Sequence, residues 1–303
     1  MKNRYSRREA MKLGMSTAAL GAAGNAIFPA KASASSPQEA KPASTITDFN
    51  KCGEEMERML ILRTSPIAVK MLQKEADIPK GAIRPKKDQG IHLAQCQAFA
   101  MSRRQKMTLA MLKEDNWCPA PMSGYGMVKP PEDYVGYPSM VENQEASKNL
   151  EKASPGFEYG KYIGVLSAPL KNAVFDPDVV LVYCNPAQLR SLLFAVKYKE
   201  GILMKSEFDP LRSCVFSIVP TMLTGEFRIT VPDSGEQIRA MPAEEELIFS
   251  VPGKKIQTLV AGLRHFEEMK FGYSHLNYDM RPDFNQPDHY KKMFKTWGLD
   301  TGK

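Results

Sequence analysis

The chain has little of what the common catalytic classes require. No G-x-x-x-x-G-K-[ST] stretch occurs, so a P-loop is excluded. Gly124-x-Gly126 lacks the third glycine and the strand–helix setting of a dinucleotide fingerprint. G-x-S-x-G and H-E-x-x-H are absent as well, which sets aside the standard hydrolase and zincin classes. Five cysteines in 303 residues are too few for a disulfide scaffold. None stands in a C-x-x-C pair and there is no C-x-x-C-H, so covalent c-type haem, zinc-ribbon and ferredoxin spacings are all excluded. Four histidines do not suffice for a multi-haem protein. After residue 34 no run is apolar enough to span a membrane.

A surplus of basic charge is also missing once its location is considered. The formal charge is +7, but residues 1–34 hold six basic side chains (Lys2, Arg4, Arg7, Arg8, Lys12, Lys31) against Glu9 alone, so the rest carries +2. Nucleic-acid binding needs a basic field that survives this subtraction, and is set aside. The same 34 residues have the three zones of an export signal: a basic start, a weakly apolar Leu13–Phe28, and the small residues Ala32-Ser33-Ala34. Ser6, Arg7, Arg8 and Lys12 match the twin-arginine pattern, with Ala10 and Met11 in place of the usual Phe and Leu. Gly14, Ser16, Thr17, Gly21, Gly24 and Asn25 make this stretch a poor membrane anchor. The expectation is cleavage after Ala34 by signal peptidase and a periplasmic or extracytoplasmic protein exported by the twin-arginine translocase. That route carries folded proteins, often loaded with a cofactor, which favours a bound metal or organic group.

Residues 35–47 are mostly Ser, Pro, Ala and Thr without a period and read as a flexible linker. Residues 48–303 read as one globular domain. Phe49, Cys52, Met56, Met59 and Leu60 fit a helix ended by Pro66. Ile67–Met71 reads as a short strand, residues 76–90 as a loop, His92–Arg104 as a helix, and Met107–Leu112 as a strand. Residues 116–138 form a long Pro/Gly-rich loop, a length that marks function more often than accident. Val179–Cys184 is a buried strand, followed by an Asn185 cap, Pro186 at the first helical position and a helix closed by Gly201. Phe227–Val231 and Leu247–Val251 read as strands, and Ile256, Leu259, Val260 and Leu263 as one helical face. This makes an α/β or α+β fold, a single mixed-sheet domain with flanking helices.

Several of these segments together look familiar. Pro66-Ile67-Ala68-Val69-Lys70 follows an amphipathic helix, Cys96 opens a helix, and Cys118-Pro119 precedes a turn ending in Gly124-Tyr125-Gly126. Pro177–Val182 runs into Asn185-Pro186-Ala187-Gln188, and Glu245–Pro252 precedes the helix to Gly262-Leu263. This order resembles the family called domain of unknown function 169, over about residues 49–268. The resemblance implies a single domain and no established activity, and it carries no functional residue over.

The candidate chemistry centres on two cysteines. Cys118 lies beside Trp117 on the Pro/Gly-rich loop, and Cys96 lies near a helix N-terminus, which lowers a thiol pKa. His92, four residues before Cys96, shares its face if the helix includes both. Cys96, Cys118 and His92 are therefore the candidate metal ligands, for an iron–sulfur, haem or other metal centre. The alternatives are a Cys96–Cys118 disulfide, or thiols acting as small apolar core residues. His275 among Tyr273 and Tyr278 suggests a stacking wall or merely a tail packed on the domain. The methionines sit at helix or strand spacing and read as core, Glu244–Glu246 as a solvated edge, and Asp176 and Asp178 as turn chemistry. Glu114 and Asp115 could bind a metal or shape a turn. Three functions stay open: a module binding a cofactor, metal or small molecule in a cleft between the 116–138 loop and the aromatic tail; a redox enzyme or electron-transfer protein with its redox partner; and a cofactor-free subunit of an exported complex.

Overall fold

A computed structural model describes residues 43–131, 140–275 and 287–299. Arg7, Arg8 and Ala34 lie outside these. In chain order the elements are α1 (Ala43–Leu60), β1 (Ile67–Leu72), α2 (Pro85–Gln89), α3 (Gln95–Gln105), β2 (Leu109–Leu112), α4 (Pro119–Gly124), α5 (Gln144–Ala153), β3 (Gly164–Pro169) and β4 (Val179–Cys184). There follow α6 (Pro186–Glu200), α7 (Ser213–Phe216), α8 (Val219–Thr224), β5 (Arg228–Thr230), α9 (Ser234–Arg239), β6 (Leu247–Pro252), α10 (Ile256–Glu268) and α11 (Asp288–Trp297).

The strands form one open sheet in the order β2-β3-β1-β4-β6-β5, and every neighbouring pair is antiparallel. The fold is thus the α+β member of the expected pair. Its sheet is antiparallel rather than mixed. Every residue of β4 is buried, because helices cover both sides of it. Alternation along the strand then sorts its side chains. Val180, Val182 and Cys184 join Met56, Leu192 and Leu259 on the face covered by α1, α6 and α10. Val179, Leu181 and Tyr183 join Phe99, Tyr125 and Val215 on the face covered by α3 and the short helices. Each fully buried Leu, Ile, Val or Phe contributes about 1.5–3 kcal/mol relative to exposure.

Local signals place the elements. Asn185 accepts a hydrogen bond from the Gln188 amide, Pro186 opens α6, and Gly201 closes it at φ 64°. α1 differs from expectation at both ends. Residues 43–47, expected as linker, are its first turn, and it stops at Leu60 because Ile61 turns left-handed at φ 49°. Pro66 lies beyond the stop. The expected loop 76–90 holds α2, and the expected loop 116–138 holds α4, with residues 132–139 outside the description. Gly124 lets α4 rest on α7: a Cβ there would come within 2.7 Å of the Val215 methyls. No described helix is long and apolar enough to cross a membrane.

Candidate functional site

The site lies where α3 begins, on the sheet face away from the three long helices. Two hydrogen bonds build it. The Leu93 amide donates to the Asp115 carbonyl at 3.0 Å, and the Trp117 amide donates to the Leu93 carbonyl at 3.2 Å. This short parallel pairing of Leu93 with Asn116 lays the Trp117-Cys118 segment beside the first turn of α3. The Asn116 side chain accepts from the Cys118 amide at 2.9 Å, turning the chain into α4 at Pro119. Residues more than 20 apart in sequence thereby meet.

Two further segments complete the walls. Asp233 caps α9 by accepting from the Glu236 amide at 2.6 Å, and its other oxygen accepts from the Ser213 amide at 2.7 Å. One carboxylate thus ties α9 to α7. Arg212, left-handed at φ 57°, donates to Glu151 and to Ser154, anchoring α5. Between these elements lies a cavity of about 260 Å³. Its lining includes Gln95, Cys96, Trp117, Cys118, Cys214 and Arg239. The Arg239 guanidinium stands 4.6 Å over the Trp117 ring. Two surface grooves of similar volume, one around Cys52, Glu55 and Arg264 and one around Leu193, Phe194 and Leu203, hold no buried unpartnered side chain among their lining residues.

Gln95 is the distinctive residue. Its carboxamide is fully buried, and neither Nε2 nor Oε1 has a hydrogen-bond partner. Each such buried, unpaired group costs about 1–3 kcal/mol. Gln95 also opens α3, an 11-residue helix whose Ala94 offers no capping side chain, although the Gln97 side chain accepts from the Ala94 amide at 2.9 Å.

Behind the cavity runs a chain of buried polar groups. Glu236, 2% exposed, accepts from the Tyr183 hydroxyl at 2.5 Å and the Ser213 hydroxyl at 2.6 Å. The Tyr183 ring lies under the Arg103 guanidinium at 3.8 Å, and Arg103 forms a two-bond pair with Glu246 at 2.8 and 3.0 Å. Arg104 donates to the carbonyls of Ala240 and Met241, closing the end of α9. This network fixes α9 against α3 and the sheet, and so fixes the cavity's rear wall.

The sequence-based candidates fare unequally. Cys96 and Cys118 come to one cavity, and Cys118 packs against the small cluster holding Ala94 and Cys96. Cys214 joins them from α7, a placement no spacing revealed. His92 does not join: α3 begins at Gln95, so His92 stands outside the helix, exposed and off the lining. Among the described residues no group of three or more His, Cys, Asp or Glu is arranged to hold a metal ion. All five thiols are free, without a Cys96–Cys118 disulfide. The expected thiol activation at a helix N-terminus is reversed. Burial, reinforced by the Glu236 and Asp233 carboxylates, pushes Cys96 up to about 12. Burial raises Cys118 as well, against the Ala120 amide and Arg239, and raises Cys214 further still. Desolvation is the largest influence on all three thiols. Glu114 and Asp115 serve the turn: Arg84 donates to both at 2.6 Å, and Asp115 also accepts the Leu112 and Lys86 amides. The described residues of the aromatic tail do not line the cavity either, and Tyr278 and Phe284 lie outside the described residues. Tyr273 packs on the opposite face, against the α1–α6–α10 core. Gln95, Arg212, Asp233 and Arg239 escaped the sequence reading. The D-x-x-E run Asp233–Glu236 is a helix-start pattern that could have marked α9.

A search of the solved structures finds no match. Among curated proteins, an uncharacterised protein of Methanocaldococcus jannaschii is 22% identical over 231 residues, covering 74% of this chain and 97% of that one. The model of the DUF169 family, described as uncharacterised ArCR, matches residues 55–262, a span that contains every residue lining the cavity. The chain belongs to the DUF169 family.

Proposed function

We propose that the protein is an exported binding module that holds one small organic molecule in the cavity at the start of α3. The observation that carries this reading is Gln95: a residue of the cavity lining whose carboxamide is buried and unpaired on both atoms. Native proteins leave few such groups, and each calls for an explanation. At about 260 Å³ the cavity sits just below the usual range for ligand sites, so its occupant is small. Thiols held protonated by burial are poor nucleophiles, so Cys96, Cys118 and Cys214 act as soft walls rather than reactive groups.

The test is denaturing extraction and mass spectrometry on the chain purified from an exporting host. We expect one organic compound near stoichiometric amount, and its loss when Ala120→Trp fills the cavity. Equal recovery from both proteins would refute the assignment to this cavity. The export reading rests on residues 1–34 and has its own assay. Arg7→Lys with Arg8→Lys should leave uncleaved precursor in the cytoplasm; unaffected export would refute it.

A further inference from the structure

Resting on the binding reading above, we propose that the occupant is a planar heterocycle with a lactam edge, an N–H beside a C=O, paired by Gln95. The chemistry of the carboxamide sets this class. Nε2 can only donate and Oε1 can only accept. An ionised carboxylate or phosphate satisfies Nε2 and leaves Oε1 unpaired. An ammonium does the converse, and a single hydroxyl, though donor and acceptor, cannot lie in line with both atoms at once. A lactam edge satisfies both atoms at once, with two parallel hydrogen bonds, and both are without partners here.

The remaining walls fit a flat, soft ring. Cys96, Cys118, Cys214 and Met140 surround the cavity with polarizable sulfur, which favours aromatic neighbours. Trp117 and Arg239 add a stacked pair at the rim. Asp233 accepts a backbone amide at each oxygen, which holds its carboxylate to the wall. The volume admits one or two fused rings. The amide is sealed, so a ring pairs with it only once the wall over it yields. Pyrimidines and pterins share this edge, and the experiment separates them.

Uracil and 6-methylpterin are titrated into the full purified chain by calorimetry, each beside its counterpart methylated at every lactam nitrogen. We expect one ring system to bind, and its methylated counterpart to bind about tenfold to a hundredfold more weakly, from loss of one buried pairing. Gln95→Leu should abolish that discrimination. The methylated-ligand comparison uses the unaltered protein, so it stands even if Gln95→Leu does not fold. Equal affinity for a ring and its methylated counterpart overturns the lactam class. So does extraction of a compound without such an edge, although that result leaves the binding reading intact. If no probe binds and nothing is extracted, both fall.

Discussion

The two faces of the sheet are built on different principles. The face under α1, α6 and α10 is apolar, closed and dry: Met56, Leu192, Phe249, Leu259 and Val260 are buried there at 1% exposure or less. The opposite face, under α3, α4, α7 and α9, carries buried Arg103, Glu236 and Tyr183, three thiols and a cavity. A fold needs one good core to be stable. The second face spends stability on polar groups that hold a shape, and it is there that the cavity lies. The contrast teaches that the cavity goes with polar burial rather than with exposed reactive residues.

The comparison predicts unequal responses to mutation. Phe249→Ala on the dry face should cost about 3–5 kcal/mol in denaturant unfolding and leave ligand binding unchanged in whatever remains folded. On the polar face, Arg103→Met strands Glu246 and uncovers Tyr183, and should cost about 3 kcal/mol or more; adding Glu246→Leu should restore a substantial part of it. No recovery in the double variant would show that Arg103 acts through packing alone.

A third prediction concerns pH, where the two carboxylates of the network oppose each other. Burial raises Glu236 despite the Ser213 and Tyr183 hydrogen bonds. Its contribution is fully present below the unfolded glutamate pKa and is lost as pH rises through the raised folded value. For Glu246, burial pushes upward but Arg103 prevails, and the net shift is downward. Its contribution is present above the unfolded pKa and is lost as pH falls through the lowered value. Unfolding free energies measured across acid to neutral pH should show Glu236→Gln flattening the loss on the upper side and Glu246→Gln flattening the loss on the lower side. The reverse pattern would contradict the burial argument. The smallest effect is kinetic. Iodoacetamide should label Cys118 first, since it alone is half-buried, and still more slowly than a free cysteine at the same pH. Faster labelling would identify an activated thiol.

The fold was legible in the sequence where several local signals agreed. From Val179 to Gly201 an apolar run, an Asn cap, an N1 proline and a terminal glycine all favour strand then helix, and that is what forms. β3 was not legible. Gly164-Val165-Leu166-Ser167-Ala168-Pro169 is poor in β-branched and aromatic residues, yet it is held on both sides by β1 and β2. Tertiary pairing overrode propensity. At the site, Cys96 and Cys118 were identified by residue type, but their meeting depends on the Leu93–Asn116 pairing, which no spacing encodes. Cys214 looked like any core cysteine, and Gln95 looked like any helix residue. What makes Gln95 notable is the absence of partners, and partners are visible only in three dimensions.

The central claim is that the cavity at the start of α3 holds an organic molecule against Gln95. A crystal structure of the chain purified without refolding from an exporting host tests it directly. The account predicts continuous density bounded by Gln95, Trp117 and Cys118, with atoms at hydrogen-bond distance from both Nε2 and Oε1. Density for water alone on that carboxamide, or a rotated Gln95 paired within the protein, would contradict it.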